Sequence, residues 1–175
     1  MDNQPKNKET TGAPKALAGL AAIIGAAVAI SSPITTAFEG ERLHPYFDPA
    51  HISTVCDGET QVAMRDYTHA ECARMLQEHQ AQVYAPKVLA CAPALGSTPK
   101  KFALAASIDA AYNAGTAAYC RSPMVKAFNA GRWKAGCSAF KSWYITARVN
   151  GRPKVLGGLV KRRKAESQLC MRSFT

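Results

Sequence analysis

The chain has 175 residues, room for one domain with a real core plus an appendage. Its composition is 47% hydrophobic and 19% charged with no low-complexity tract or internal repeat, which excludes a disordered, fibrous or solenoid protein. The formal charge of +10 is uneven: residues 1–99 hold seven Lys/Arg against ten Asp/Glu, and residues 100–175 hold fifteen against two. That basic half suits a polyanion, the cell envelope or nucleic acid, or is a plain solvated surface. No nucleic-acid-binding motif is present, and no nucleic-acid partner is expected.

Residues 1–15 are polar, with Lys6, Lys8 and Lys15 against Asp2 and Glu9, and read as a tail. From Ala16 to Phe38 there is no charge for 23 residues, long enough to span a bilayer as a helix. Eight Ala, two Gly, four Ser/Thr and a Pro leave only eight strongly apolar residues. At about −0.3 to −0.6 kcal/mol each, those eight contribute roughly −2 to −5 kcal/mol to insertion, and the hydroxyls offset part of it. Insertion is marginal. A cleaved signal peptide ending near Ala29-Ile30-Ser31, a permanent anchor, a weak anchor that later leaves the membrane, and a buried soluble helix all remain open. The lysines before the span predict a cytoplasmic tail with the rest facing outward.

The next stretch, FEGERLHPYFDPAHISTVCDGET over residues 38–60, holds Glu39, Asp48 nine positions on and Thr54 six further. Pro45 and Pro49 are expected to break regular structure between the acids. Two carboxyl groups in different surroundings can divide general acid from general base, as glycosidic cleavage requires. A capping Glu39 and a solvated Asp48 in a Pro-flanked turn is the plain alternative, with Thr54 a β-branched strand residue.

Residues 43–67 predict two or three short strands, clearest at Ile52–Val55. Thr68-His69-Ala70-Glu71 is a capping box, and helical spacing from Cys72 to Val83 predicts a helix up to Tyr84 that Pro86 kinks or ends. After a loop from Cys91, Thr98 as N-cap and Pro99 open a helix, apolar nearly all round from Phe102 to Tyr112 and stopped by Gly115. Ser122 and Pro123 start another, ending near Gly131. Trp133 to Val149 continues in helical register, Asn150-Gly151-Arg152-Pro153 is a turn, and Gly157-Gly158 precedes a basic helix over Leu159–Arg172.

Six cysteines contain no CxxC pair, so zinc-ribbon and thioredoxin-like spacings are absent. In an oxidising compartment they allow 15 pairings. Neighbours in sequence are the simplest choice: Cys56–Cys72, Cys91–Cys120 and Cys137–Cys170. His44, His51 and Cys56 as zinc ligands would indicate an amidase, but their spacing matches no common site. Cys56 as a nucleophile has no sequence support for a lowered thiol pKa. No metal or cofactor is expected.

Glu, eight residues, Asp, five residues, Thr, within EG..L.PY.D.....TVC.G.T, resembles the catalytic signature of the phage-type lysozymes, glycoside hydrolase family 24. AAYNAGTAAYCRSPMVKAFNAGRW and GLVKRRKAESQLC extend the likeness over roughly residues 38–172. The uncharged span before it resembles that of signal-anchor-release endolysins. The resemblance implies an α+β lysozyme-like fold, with a small β lobe and a larger helical lobe joined by a long helix. The expected organisation is a cytoplasmic tail (1–15), a signal anchor (16–38) and a catalytic domain (39–175), a monomer held in the inner membrane and then released to the periplasm.

The implied activity is a muramidase that cleaves the β-1,4 bond between N-acetylmuramic acid and N-acetylglucosamine in peptidoglycan. Glu39 is then the acid, and Asp48 stays ionised, either to activate water or to stabilise positive charge developing on the sugar. The resemblance implies the inverting course, with water held between Asp48 and Thr54, and the carboxylate separation decides between inverting and retaining. Arg162 and Arg163 lie in the family's RR..E pattern, and Asn113 in YNAG resembles its FN.G; all three are candidate substrate-binding or cleft residues. One of the two arginines is expected to pair with Glu39 or the cleft wall; a solvated basic helix face and, for Asn113, a helix-terminating polar residue are the alternatives. Another wall hydrolase, or a non-catalytic envelope-binding module, stands as the rival function.

Overall fold

Helix α1 runs from Ala13 to Glu39 without interruption in the computed structural model, which describes residues 13–48, 51–149 and 151–174. The uncharged segment and the first acid therefore belong to one rod. The tail expected over residues 1–15 lies outside the described residues except for its last three. Pro33 is accommodated inside α1, where Ser32 Oγ lies 2.9 Å from the Val28 carbonyl and Thr35 Oγ1 lies 3.3 Å from the Ser31 carbonyl. Ala27, Val28, Ser31, Ser32 and Thr35 form the buried face of the C-terminal half. Only the first turns stand clear, with Leu17 69% exposed; Ile23 and Ile24 already pack against the core. Gly40, at φ +77°, turns the chain out of the helix directly after Glu39, its N–H donating to the Thr36 carbonyl at 3.0 Å.

Strands β1 (Arg42–Phe47) and β2 (Ser53–Cys56) form an antiparallel hairpin, pairing Tyr46 with Thr54 and Phe47 with Ser53. Pro45 does not break β1, contrary to expectation. It lies where the register shifts between Arg42 and Tyr46, a bulge that needs no N–H from it. Pro49 lies outside the described residues.

Helix α2 (His69–His79) starts at the expected capping box: Glu71 N–H donates to Thr68 Oγ1 at 3.2 Å, and Thr68 N–H to Glu71 Oε2 at 2.8 Å. Arg65, bonded to Glu71 at 2.7 Å, helps to hold that carboxyl down at about 2. Helical structure does not stop near Tyr84. A π turn (Gln80–Tyr84) leads into α3 (Ala85–Cys91), so the connection between lobes extends to Cys91. The Ala85 N–H reaches back to the Gln80 carbonyl, and Pro86 falls in the first turn of α3, where a missing N–H costs nothing.

A 3-10 turn (Thr98–Lys100) precedes α4 (Lys101–Ala114), whose N-cap is Lys100 with no side-chain cap bond, rather than Thr98. Every residue of α4 from Ala103 to Ala111 is buried, and α1 and α8 (Gly157–Met171) pack on it. Its alanines let those backbones approach closely. Short helices α5 (Thr116–Cys120), α6 (Pro123–Asn129) and α7 (Trp133–Ala139) complete the helical lobe. Ser122 Oγ caps α6 as expected, accepting from Val125 N–H at 3.3 Å.

The helix expected through Val149 ends instead at Ala139. Beyond a 3-10 turn, β3 (Thr146–Val149) pairs antiparallel with β4 (Arg152–Val155). Thr146 and Val149 favour a strand, and Gly151, at φ +76°, suits a hairpin. Arg152 and Pro153 thus belong to β4, and Asn150 lies outside the described residues.

Disulfides join Cys56 to Cys72, Cys91 to Cys120 and Cys137 to Cys170. The first fastens β2 to α2 within the small cluster of Val55, Cys56 and Cys72, the only buried apolar group in the β lobe among the described residues. A lobe with so small a core depends on that link. Replacing Cys56 and Cys72 together by Ser is expected to lower stability by about 3 kcal/mol, the loop-closure value for this spacing. Hydrogen exchange should show the β1–β2 hairpin losing protection before α4; simultaneous loss would contradict this.

Candidate active site

Glu39 is the last residue of α1 and opens into two adjoining cavities, of about 440 Å³ and 300 Å³. Asn113, at the end of α4, lines both as well. The larger is walled by Asp57, Glu59, His79, Tyr84 and Tyr112. Phe38, Leu156, Leu159 and Arg162 wall the smaller. One is therefore acidic and aromatic, and the other apolar with a cation, a groove surface of the kind a chain of polar rings occupies.

The walls of the larger cavity hold one another. Gly58, at φ +99°, makes the turn after β2 that lets Glu59 bridge back to Val55. Glu59 Oε1 meets His79 Nδ1 at 3.0 Å. Tyr112 Oη donates to the Asp57 carbonyl at 2.7 Å, and the Tyr84 and Tyr112 rings lie 5.0 Å apart. Burial, with Glu59 and Glu39 nearby, pushes the Tyr112 hydroxyl well above its ordinary pKa, so it stays a donor.

Glu39 is fixed by Arg162, whose Nη1 donates to Glu39 Oε1 at 2.5 Å. The other face of the guanidinium is taken by Asp109 of α4: Nε to Oδ2 at 3.0 Å and Nη2 to Oδ1 at 2.7 Å. Asp109 also accepts from Thr35 Oγ1 of α1 at 2.6 Å. Gln80, in the π turn, extends this network, donating to Thr35 Oγ1 at 2.8 Å and accepting from Ser32 Oγ at 3.0 Å. Arg163 bonds both carboxylate oxygens of Glu166, at 2.7 and 2.6 Å, and donates to Asn113 Oδ1.

The β1–β2 hairpin holds Asp48 and Thr54 close together, through the backbone of Ile52. Ile52 N–H donates to Asp48 Oδ1 at 2.8 Å, and Thr54 Oγ1 donates to the Ile52 carbonyl at 2.9 Å. Neither residue lines the two cavities beside Glu39. Of the sequence candidates, Glu39, Asn113 and Arg162 share the wall of the smaller cavity, and Asp48 and Thr54 are joined through the hairpin backbone.

Two expectations change. Arg162 and Arg163 are not a solvated face, since their side chains are 3% and 0% exposed and ion-paired, Arg162 with Glu39 as one of the readings expected. Cys56 is in a disulfide, so the cysteine-nucleophile alternative loses its thiol and the zinc alternative loses one of its three ligands. The sequence reading passed over Asp57, Glu59, Tyr84, Tyr112 and Asp109. Asp109 left a signal, because an acid inside an apolar helix needs a buried cation. The others come together only through long-range packing.

Asp57 is 1% exposed, and neither carboxylate oxygen makes a hydrogen bond of ordinary geometry. Burial raises its pKa; the neighbouring Thr36 hydroxyl opposes this, and Glu41, Glu39 and Glu59 add to it. A folded-state pKa above the unfolded value means that the fold loses stability as pH climbs through that interval. Asp57→Asn, a neutral isostere, is expected to raise the melting temperature by a few degrees at pH 8 and to change it little near pH 4. Equal effects at both pH values in thermal melts would contradict this assignment.

A family model described as phage lysozyme matches residues 36–166. The chain is 34% identical over 125 residues to the SAR-endolysin of Escherichia phage Mu, covering 70% of this chain and 67% of that one. It is 32% identical over 148 residues to the SAR-endolysin of Pseudomonas phage phiKMV, covering 84% and 89%. The crystal structure of the active form of P1 phage endolysin Lyz superposes with a TM-score of 0.66 at 23% identity, over 82% of this chain and 83% of that one, which shows the lysozyme-like fold. By sequence family and by fold together, the chain belongs to the phage lysozymes, in their signal-anchor-release endolysin branch.

Proposed function

We propose that Glu39, Asp48 and Thr54 carry the reaction of this muramidase on peptidoglycan during host lysis. Glu39 protonates the bridging oxygen as the β-1,4 bond between N-acetylmuramic acid and N-acetylglucosamine breaks. Asp48 takes a proton from water, and Thr54 orients that water as its oxygen joins the sugar carbon. The observation that carries this reading is the position of Glu39 between two cavities, with sugar-sized space on either side of its carboxyl. The shared Ile52 backbone supports a joint role for Asp48 and Thr54. Glu39→Gln should reduce the release of new reducing ends from purified peptidoglycan about 10²–10⁴-fold, the range for loss of a general acid. Full activity in that variant, or new amines in place of reducing ends, would overturn the reading.

The start of the chain supports a second part of the proposal. From Leu17 to Glu39, α1 is long and apolar enough to cross a membrane, by length and composition. Its C-terminal half buries Ser31, Ser32 and Thr35, and bonds Gln80 and Asp109 through the last two. One face of a helix cannot meet lipid and these groups at once. While α1 is in the inner membrane, with the tail inside, Glu39 sits at headgroup level and Thr35 is parted from Asp109. The enzyme is then off, and release of α1 to the periplasm assembles it. Membrane-bound protein should show at least tenfold lower specific muralytic activity than released protein; equal activity would rule this out.

A further inference from the structure

Thr35 and Glu39 are four residues apart on α1 and so share a face of the helix. Between them, Asp109 and Arg162 complete a closed ring: Thr35 to Asp109, Asp109 to Arg162, Arg162 to Glu39, and back through the α1 backbone. Three helices meet in this ring, α1, α4 and α8. Asp109 is fully buried and Arg162 is 3% exposed, so neither charge is screened by water.

A lone guanidinium against a carboxyl favours its ionised form, the wrong state for a proton donor. Here Arg162 is not alone. Asp109 binds it through two nitrogens, Glu39 through one. Burial works against the charge on Arg162, and Asp109 outweighs that more than Glu39 does, so that its pKa is raised. Held in this way, Arg162 meets Glu39 as one half of a buried ion pair with Asp109 and not as a lone cation. The bidentate grip on Nε and Nη2 also leaves Nη1 as the nitrogen aimed at Glu39.

We propose that Asp109 is a positioning residue for the proton donor, cancelling the charge of Arg162 and aiming its remaining nitrogen at Glu39. This rests on the reading of Glu39 as the acid. The other charged or titratable groups around the ring are Arg163 and Glu166 on α8, which pair with each other, Glu41, Asp57 and Glu59 on the hairpin side, and His79, Tyr84 and Tyr112 on the cavity wall. Glu166 also faces Asp109, and burial and that neighbour push its carboxyl well above the usual carboxylate range. None of them takes two nitrogens of Arg162, whose nearest other acid, Glu166, stands 3.7 Å from Nε.

The test is the pH profile of kcat/KM on soluble peptidoglycan fragments for the full released chain, with folding of each variant checked by circular dichroism. Asp109→Asn leaves the charge of Arg162 uncancelled, and its alkaline limb should move about one unit lower. That is roughly a tenfold loss on the alkaline side with a much smaller loss on the acid side. Arg162→Gln should move the limb the other way. A uniform loss at all pH values in Asp109→Asn, or an unmoved limb, overturns the proposal, because a purely structural role predicts either. If Asp109→Asn does not fold, the double variant Asp109→Asn/Arg162→Gln decides. Its limb should stay within about half a unit of wild type, since the cancelling charges go together, and a displacement of a full unit refutes it. Glu39→Gln in the same series separates the two ideas. An active Glu39→Gln removes the acid reading itself, whereas an inactive one with an unmoved Asp109→Asn limb removes only the role of Asp109.

Discussion

The guanidinium of Arg162 lies between two carboxyl groups from different helices, and the site depends on that buried contact. A charge on a side chain only 3% exposed is tolerable because Asp109 meets it with paired, charge-assisted bonds. Asp109 is tolerable in α4 for the same reason. Once the pair exists, its last open nitrogen defines where Glu39 must sit, and so where α1 must end. Gly40 then turns the chain away from the helix at that point. The proton donor is thus located by core electrostatics as well as by the loop that follows it.

The same contact gives the uncharged helix two natures. Its leucines and isoleucines suit lipid, whereas Ser32 and Thr35 suit Gln80 and Asp109. In water the second set wins, because the fold offers buried partners that no bilayer offers. The hydroxyls that make insertion marginal are therefore the groups that the folded body binds. The first turns have no such partners among the described residues: Leu17 is open to solvent, and apolar packing on the core begins at Ile23 and Ile24. The helix is a core element at one end and an apolar rod at the other.

Much of this was legible in the sequence, and the exceptions have physical reasons. The capping box at Thr68, the Ser122 cap and the burial of the helix from Phe102 to Tyr112 are local or periodic signals, and sequence carries those well. The acid–acid–threonine spacing pointed to the family because motif order survives where packing detail does not. Of the two readings of Pro86, an end of the helix or a kink, the end does not hold, because a π turn shifts the hydrogen-bond frame just before it and helix continues to Cys91. The stretch from Trp133 to Val149 misled because a short apolar pattern fits helix and strand alike, and the pairing of β3 with β4 decides between them. For Arg162 and Arg163 the sequence left a pair with Glu39 and a basic face both open; the fold decides for the pair and adds Asp109 and Glu166. The aromatic wall of Tyr84 and Tyr112 left no trace in sequence, since its members meet through the packing of two helices.

All of this requires that the C-terminal half of α1 be part of the folded body in the released protein. Hydrogen–deuterium exchange, read along α1 in the soluble chain, tests that most directly. The account predicts that the amides from Val28 to Glu39 are protected to the same degree as those of α4, while those from Leu17 to Ala22 exchange early. Rapid exchange along the whole of α1, with α4 still protected, would show a helix that is merely attached, and the assembly of the donor by docking would be wrong.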